Sequence, residues 1–475
     1  MRATVIINKK KDFYWLLVLI LFIIPLLIEF FAGDILFQLS CEPIISLQNF
    51  FYSSFDLKIF NNEEQELTNV PNSNINSNLY SFLEENSNTG NDEDGNPSNV
   101  AFSEFFHLIN TNTFYMIFCT ILLNFMNVYK VFILSMIIFG ANGVSSLFCY
   151  IYHSPKPYMA FYKIRAALIF NEWGSPNTQI VVLVSFYLSF YMIIRGSRFL
   201  EVRLVAKIII FVILILYMIF DILILFASGN CSFNQLIFSL FIGVAIFIFV
   251  FYVIKLNPNQ PKQFIKFIKF NSLYYICANI LIFVLQILLN VFINDGRDNV
   301  YFGNHAVEQS SRMPSTDFYD NYLNYRQSFD LDYGNFCNVI CFIMNVVAFL
   351  ALKLDYRYLY NKDYKLWSEN YFEKESIEER NNREGEFVTE DTQWNHNGVC
   401  FSIIRMFLLI IFILVCLVPL LWIKSRSDSE FHAFVFIVMI PLILLVFGNF
   451  FAFKALLIKI KLGRGPKIEE KNIMD

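Results

Sequence analysis

Apolar residues in this chain gather into long unbroken runs; they neither alternate with period two nor mark one stripe of a helix. A bilayer core demands roughly 20 apolar residues in helical form, because backbone polar groups find no water there and must pair within the segment. Ten stretches qualify: Phe13 to Ala32, Thr113 to Tyr129, Val131 to Tyr152, Gln179 to Ile194, Leu204 to Ala227, Phe233 to Ile254, Leu273 to Ile293, Phe336 to Leu352, Ser402 to Ile423 and Phe431 to Leu457. They predict an all-α, polytopic membrane protein. The first run follows Arg2, Lys9, Lys10 and Lys11. It is longer than the roughly 7 to 15 apolar residues of a cleaved secretory leader and reads as a retained signal anchor.

The polar intervals set the orientation, since short cytoplasmic loops carry the excess of Lys and Arg. Arg195, Arg198 and Arg203 follow the fourth run, and Lys255, Lys262, Lys266 and Lys269 follow the sixth. Between Asp34 and Asn112, Lys58 is the only base against Glu63, Glu64, Glu66, Asp92, Glu93, Asp94 and other acids. This alternation predicts an even number of spans with both termini cytosolic, the tail carrying Lys459, Lys461, Arg464 and Lys467.

Residues 61–100, rich in Asn, Ser, Asp and Glu, cannot bury enough apolar surface to fold. Residues 295–335 form a second outside loop. Residues 353–400 form a cytosolic one, in which Lys365 to Glu386 is a candidate surface helix. The expected organisation is a cytosolic N-terminus (1–12), a first transmembrane helix (13–33) and an acidic low-complexity non-cytosolic loop (34–112). A membrane core (113–255) follows, then a C-terminal extension (256–475) with about four further transmembrane helices and a cytosolic tail.

Composition agrees with the pattern: 56% of residues are hydrophobic and only 16% charged, against about 25% in soluble domains. With a net charge of -4 and bases scattered beside apolar runs, no nucleic-acid partner is expected. The nine cysteines, at 41, 119, 149, 231, 277, 337, 341, 400 and 416, form no disulfide framework or zinc set. Cys337 and Cys341 stand one helical turn apart, but no His or carboxylate nearby completes a site. Neither a metal nor a cofactor is expected.

Three segments carry a family resemblance. One reads His153-Ser154-Pro155-Lys156-Pro157-Tyr158-Met159, and one reads Glu172-Trp173-Gly174-Ser175-Pro176-Asn177-Thr178-Gln179. The last reads Ser228-Gly229-Asn230-Cys231-Ser232-Phe233-Asn234-Gln235. In order, in side of the membrane and in placement at span ends they resemble the type 2 phosphatidic acid phosphatase superfamily, the lipid phosphate phosphatases. That family's motifs are K-x6-R-P, P-S-G-H and S-R-x5-H-x3-D, gathered at the non-cytosolic face of a six-helix core. The resemblance covers about residues 1–255 and implies a six-helix lipid-phosphatase-like core, with membrane lipids as the partners.

The family's chemistry uses the third-motif His as nucleophile and the second-motif His as the acid that protonates the leaving alkoxide. Here those positions are Cys231 and Gln179. The first-motif Lys falls on Cys149 and its Arg-Pro on Lys156-Pro157, while Pro176, Asn177 and Thr178 precede Gln179 in the second motif. The third-motif Ser-Arg falls on Ile224 and Leu225, and its acid on Gln235. The groups that would stabilise charge on a transferring phosphoryl group are therefore lost together with both imidazoles. The resemblance implies a degenerate, non-catalytic member.

Single residues carry open alternatives. His153 is an interfacial His satisfied by headgroups or water, or a displaced acid or base. Lys156, Lys163 and Arg165 are interfacial anchors, or they attract an anionic lipid headgroup. Asp221 is an intramembrane acid, costly enough to count as a site candidate. It either locks the pocket by pairing with Lys156 or Arg165, or lines an ion path. Asn124, Asn127, Asn142, Asn279, Gln286, Asn290, Asn345 and Asn449 fall in spans, where interhelical hydrogen bonds of roughly 1 kcal/mol are the expected role. The leading expectation is a non-catalytic protein that binds a membrane lipid or a membrane-protein partner. A divergent lipid phosphatase is second, and a transporter or channel third.

Overall fold

The computed structural model describes residues 2–55, 112–122, 128–161, 163–164, 172–195, 204–256, 267, 271–293, 331–355, 399–424 and 443–460. The acidic stretch 61–100, the candidate surface helix from Lys365 to Glu386, and Arg165, Arg198, Arg203, Lys262, Lys266 and Lys269 lie outside these residues. So do the tail bases beyond residue 460.

Every regular element among the described residues is helical. In chain order they are α1 (Arg2–Leu39), α2 (Cys41–Phe55), α3 (Asn112–Leu122), α4 (Val128–Tyr152) and the single turn α5 (Pro157–Ala160). Then come α6 (Thr178–Arg195), α7 (Leu204–Ala227), α8 (Phe233–Ile248, continued by a π-turn Phe249–Val253), α9 (Ser272–Ile293), α10 (Leu331–Asp355) and α11 (Val399–Lys424). A π-turn at Gly448–Ala452 leads into α12 (Phe453–Lys459).

Six stretches are long and apolar enough to cross a membrane: Phe13–Phe51, Lys130–Ala160, Thr178–Arg195, Leu204–Ala227, Phe233–Val253 and Ser272–Leu289. Shorter apolar helices, Phe342–Leu354, Ile403–Cys416 and Ile443–Leu457, overlap parts of the last three expected spans. The protein is a multi-pass, membrane-embedded helical bundle. One boundary moves: the loop expected to begin at Asp34 is helical as far as Phe55. α2 has an amphipathic composition that a search for 20-residue apolar runs passes over. A smaller shift affects α10, which starts at Leu331 inside the expected second outside loop.

α4 is the axis of the bundle. It packs against α3, α6, α8, α9 and α10, and from Val131 to Leu134 its side chains are wholly buried. α7 is the opposite case. Leu204, Ile208, Val212, Leu216, Ile219 and Leu223 are exposed apolar residues, as befits a helix whose solvent on one side is hydrocarbon. Only its far end, with Asp221, Ile224, Leu225, Phe226 and Ala227, is buried.

The C-terminal helices do not form a separate layer. Met344, Ala348 and Phe349 of α10, with Val446 and Phe450, share one apolar cluster with Phe132, Ile137 and Phe139 of α4. Gly143 makes that approach possible: a Cβ there would stand 2.2 Å from the Phe342 ring, and its carbonyl accepts a hydrogen bond from Gln286 of α9.

The intramembrane amides divide. Gln286 bonds across helices, as does Asn449, which donates to Thr120 of α3. Asn142 and Asn279 instead donate to the carbonyls of Ile138 and Tyr275, one turn back on their own helices. At these two positions a local bond within the helix is therefore present, while Asn124 and Asn127 lie outside the described residues.

Candidate functional site

The turns that leave α4, enter α6 and join α7 to α8 come together at one end of the bundle. Each is fixed by its own backbone before any side chain is considered. The Gly174 N–H donates to the Ser154 carbonyl at 2.7 Å, and the Tyr158 N–H donates to the Gly229 carbonyl at 3.2 Å. Asn177 sits just before α6. Its side-chain oxygen accepts from the Ile180 N–H at 3.2 Å, the usual arrangement at a helix start. Its amide donates to the Asn230 carbonyl at 2.8 Å, and its backbone N–H to Ser239 Oγ of α8 at 2.7 Å.

Gln235 closes the knot from the α8 side. It accepts from the Ser232 N–H at 3.2 Å, tying off the first turn of its own helix. Its amide donates to the Pro155 carbonyl at 2.7 Å and to Ser154 Oγ at 3.3 Å. This amide is packed so closely on Gly174 that a Cβ there would lie 2.4 Å from Gln235 Nε2.

At the centre is a buried ion pair. Lys156 Nζ lies 3.6 Å from Glu172 Oε1, the two side chains 0% and 6% exposed. Gln179 Nε2 donates to the same oxygen at 2.5 Å. The thiols of Cys149 and Cys231 lie within electrostatic reach of the Lys156 ammonium. Cys149 Sγ points to the Pro176 carbonyl at 3.4 Å and Cys231 Sγ to the Ser232 carbonyl at 3.3 Å. Burial pushes the Cys231 thiol pKa up, against a smaller opposing pull from Lys156.

Around the polar centre the walls are apolar. Ile224, Leu225 and Cys231 pack with Ile180 and Val184 in one cluster. Cys149, Tyr158, Met159, Ile164, Trp173 and Phe226 pack under Ile44 of α2 in another. Gln48 of α2 donates to the Ala227 carbonyl at 2.8 Å, fastening this cover to the end of α7.

Lys156, Gln179, Cys231 and Gln235 therefore do meet, together with Cys149, Pro157, Pro176 and Asn177. They form a filled polar core. Lys156 is wholly buried with Glu172 beside it, so its charge is met from within and this lysine does not face a lipid headgroup. Asp221 is buried among Tyr115, Tyr187 and Tyr217, whose rings it influences electrostatically. Lys163 is exposed, and Arg165 lies outside the described residues. His153 ends α4 with its ring edge-on to Trp173 at 5.1 Å. Among the described residues, no group of three or more His, Cys, Asp or Glu side chains is placed to hold a metal.

Two acids were not singled out by the sequence pattern. Glu172 had no signal, because its partner is defined only by the loop's path. Glu29 did have one: it is the only charged residue between Phe13 and Ala32, and a charge inside an apolar span is a site candidate on energetic grounds. Its carboxylate accepts from Ser175 Oγ at 2.9 Å and from the Asn234 amide at 3.1 and 3.2 Å, joining α1 to two of the three segments.

Chemically, the arrangement has acceptors, amides and buried thiols where a phosphoryl-transfer centre needs a nucleophile, a proton donor and a charge clamp. No protein-family model, curated protein or solved structure matches the chain.

Proposed function

We propose that this protein is a non-catalytic member of the lipid phosphate phosphatase superfamily, acting in the membrane by binding a lipid or a membrane-protein partner. On this reading the first 255 residues hold a six-helix phosphatase-like core, about four further spans follow, and both termini face the cytosol. The observation that carries the reading is the Glu172 carboxylate lying on Lys156 and Gln179. A centre that kept its chemistry would leave its cation free for substrate, whereas here an internal anion consumes it. The thiol at the nucleophile-equivalent position, Cys231, is fully buried in an apolar cluster with its pKa raised, the environment of an inert cysteine.

The decisive assay is hydrolysis by the purified protein of phosphatidate, isoprenoid phosphates and sphingoid phosphates. No turnover above that of an empty-membrane control is expected. Robust turnover that disappears in Cys231→Ala would overturn the proposal in favour of a divergent phosphatase. For the cytosolic termini, protease protection of tags at both ends in sealed vesicles is the test, and opposite accessibility of the two ends would refute the even count of spans.

A further inference from the structure

Two donors from different elements, the Lys156 ammonium and the Gln179 amide, converge on a single oxygen, Glu172 Oε1. Convergent donors of this kind around one negative oxygen are how proteins seat oxyanions, because charge-assisted hydrogen bonds gain most where water is excluded. We propose that Glu172 is a built-in occupant of an oxyanion seat made by Lys156 and Gln179, and that the seat accepts a phosphate group once this carboxylate is removed. The inference rests on reading the centre as non-catalytic, and it adds what keeps the centre closed.

Three observations support it. Lys156 is wholly buried, and a buried ammonium persists as a cation only beside an anion. The structure supplies that anion from the loop, whose next residues are fastened by the Gly174 bond to Ser154. The neighbouring thiols of Cys149 and Cys231 add no competing positive charge. Finally, Gln179 Oε1 is buried and receives no hydrogen bond among the described residues. A carboxylate occupant has no proton to give such an acceptor, whereas a monoprotonated phosphate has one. The seat therefore suits a phosphate monoester or inorganic phosphate better than the group that fills it. The wild-type protein refuses phosphate because a second anion would be repelled by Glu172 at contact distance.

The test uses the full chain in detergent at mildly acidic pH, which favours the charged form of the lysine. Thermal unfolding is followed in inorganic phosphate, in short-chain phosphatidate and in chloride of equal ionic strength. Wild type is expected to respond alike to all three. Glu172→Ala is expected to show a saturable rise in midpoint with phosphate, with phosphatidate or with both. Half-saturation should weaken by about tenfold or more when Lys156→Met is added, the loss of one strong charged contact. A response to inorganic phosphate identifies a free-ion site, and a response to phosphatidate alone identifies a headgroup site.

The proposal is overturned if folded Glu172→Ala responds to neither probe, or responds equally with and without Lys156. Should Glu172→Ala not fold, Glu172→Gln keeps an oxygen for Gln179 and removes only the charge. Recovery of folded Glu172→Gln in phosphate but not in chloride supports the seat. Equal recovery in both, or none in either, overturns it. Hydrolysis by the wild type would refute the pseudoenzyme reading while leaving these binding results to be judged separately.

Discussion

Replacing Gly174 by alanine would drive a methyl group into the amide of Gln235. The new Cβ would stand 2.4 Å from Nε2, 2.8 Å from Cδ and 2.9 Å from Oε1, where ordinary contact begins at 3.4 Å. Gln235 would have to retreat by about 1 Å, enough to break hydrogen bonds whose length varies by only a few tenths of an ångström. It is held by Ser232, Ser154 and Pro155, and each such bond is worth about 1 kcal/mol net. The expected loss is about 2 to 4 kcal/mol, the upper end applying if the Pro155 carbonyl is left without a donor.

Gly140→Ala is the matched control. A Cβ at Gly140, in α4, meets nothing within 4 Å, and alanine in a helix interior gains roughly 0.5 to 1 kcal/mol over glycine. Unfolding can be followed in detergent with a fluorogenic maleimide, because Cys119, Cys149 and Cys231 are buried free thiols that react only when the fold opens. Combining Gly174→Ala with Gln235→Ala should restore most of the loss attributable to the clash, giving a coupling energy of about 2 kcal/mol. If Gly174→Ala unfolds at the midpoint of Gly140→Ala, or if its effect simply adds to that of Gln235→Ala, the claim that these segments are locked by this contact is wrong.

Three further outcomes follow from the same site. Lys156→Met removes the cation beside a buried carboxylate and should destabilise by about 3 to 5 kcal/mol, while Lys156→Met with Glu172→Gln recovers most of it. Equal midpoints for the single and double variants would refute the ion pair's role. Glu29→Ala removes the acceptor for Ser175 and Asn234 and should cost about 2 kcal/mol, with Glu29→Gln milder. Retention of wild-type stability in Glu29→Ala would show that α1 is held by apolar packing alone. The raised Cys231 pKa makes a signed prediction. Above the thiol's ordinary range, near 8.5, the unfolded chain releases this proton and the folded chain keeps it. The folded state then binds more protons, so stability is full below that range and falls as pH rises through it. Cys231→Ser should flatten the alkaline limb of a midpoint-against-pH curve, and an unchanged slope would contradict the assignment.

The spans were legible because lipid imposes a one-dimensional rule: an apolar run of sufficient length must be helical wherever it lies in the fold. Leu204–Ala227 follows that rule along its whole length. The rule is weaker where α2 is concerned, since Cys41–Phe55 mixes Glu, Gln, Asn and Ser with apolar residues. Its helicity comes from covering the loops through Ile44 and Gln48. Intramembrane amides show the same limit. Sequence position places Asn142 and Asn449 in helices, but the partner that each selects depends on what the neighbouring helix presents.

At the candidate site, the sequence by itself determined which chemistry these positions cannot supply. Cys231, Gln179, Ile224 and Leu225 cannot supply an imidazole or a guanidinium in any fold. Lys156, Gln179, Cys231 and Gln235 came into view as residues to compare through the resemblance to the lipid phosphate phosphatase motifs. Tertiary structure alone decided that the remaining cation is already taken. Glu172 reaches Lys156 only through the path of the loop, and Glu29 reaches Ser175 and Asn234 only because α1 packs along α8. Pairing of buried charges is a matter of a few ångströms in three dimensions, and no spacing along the chain encodes it.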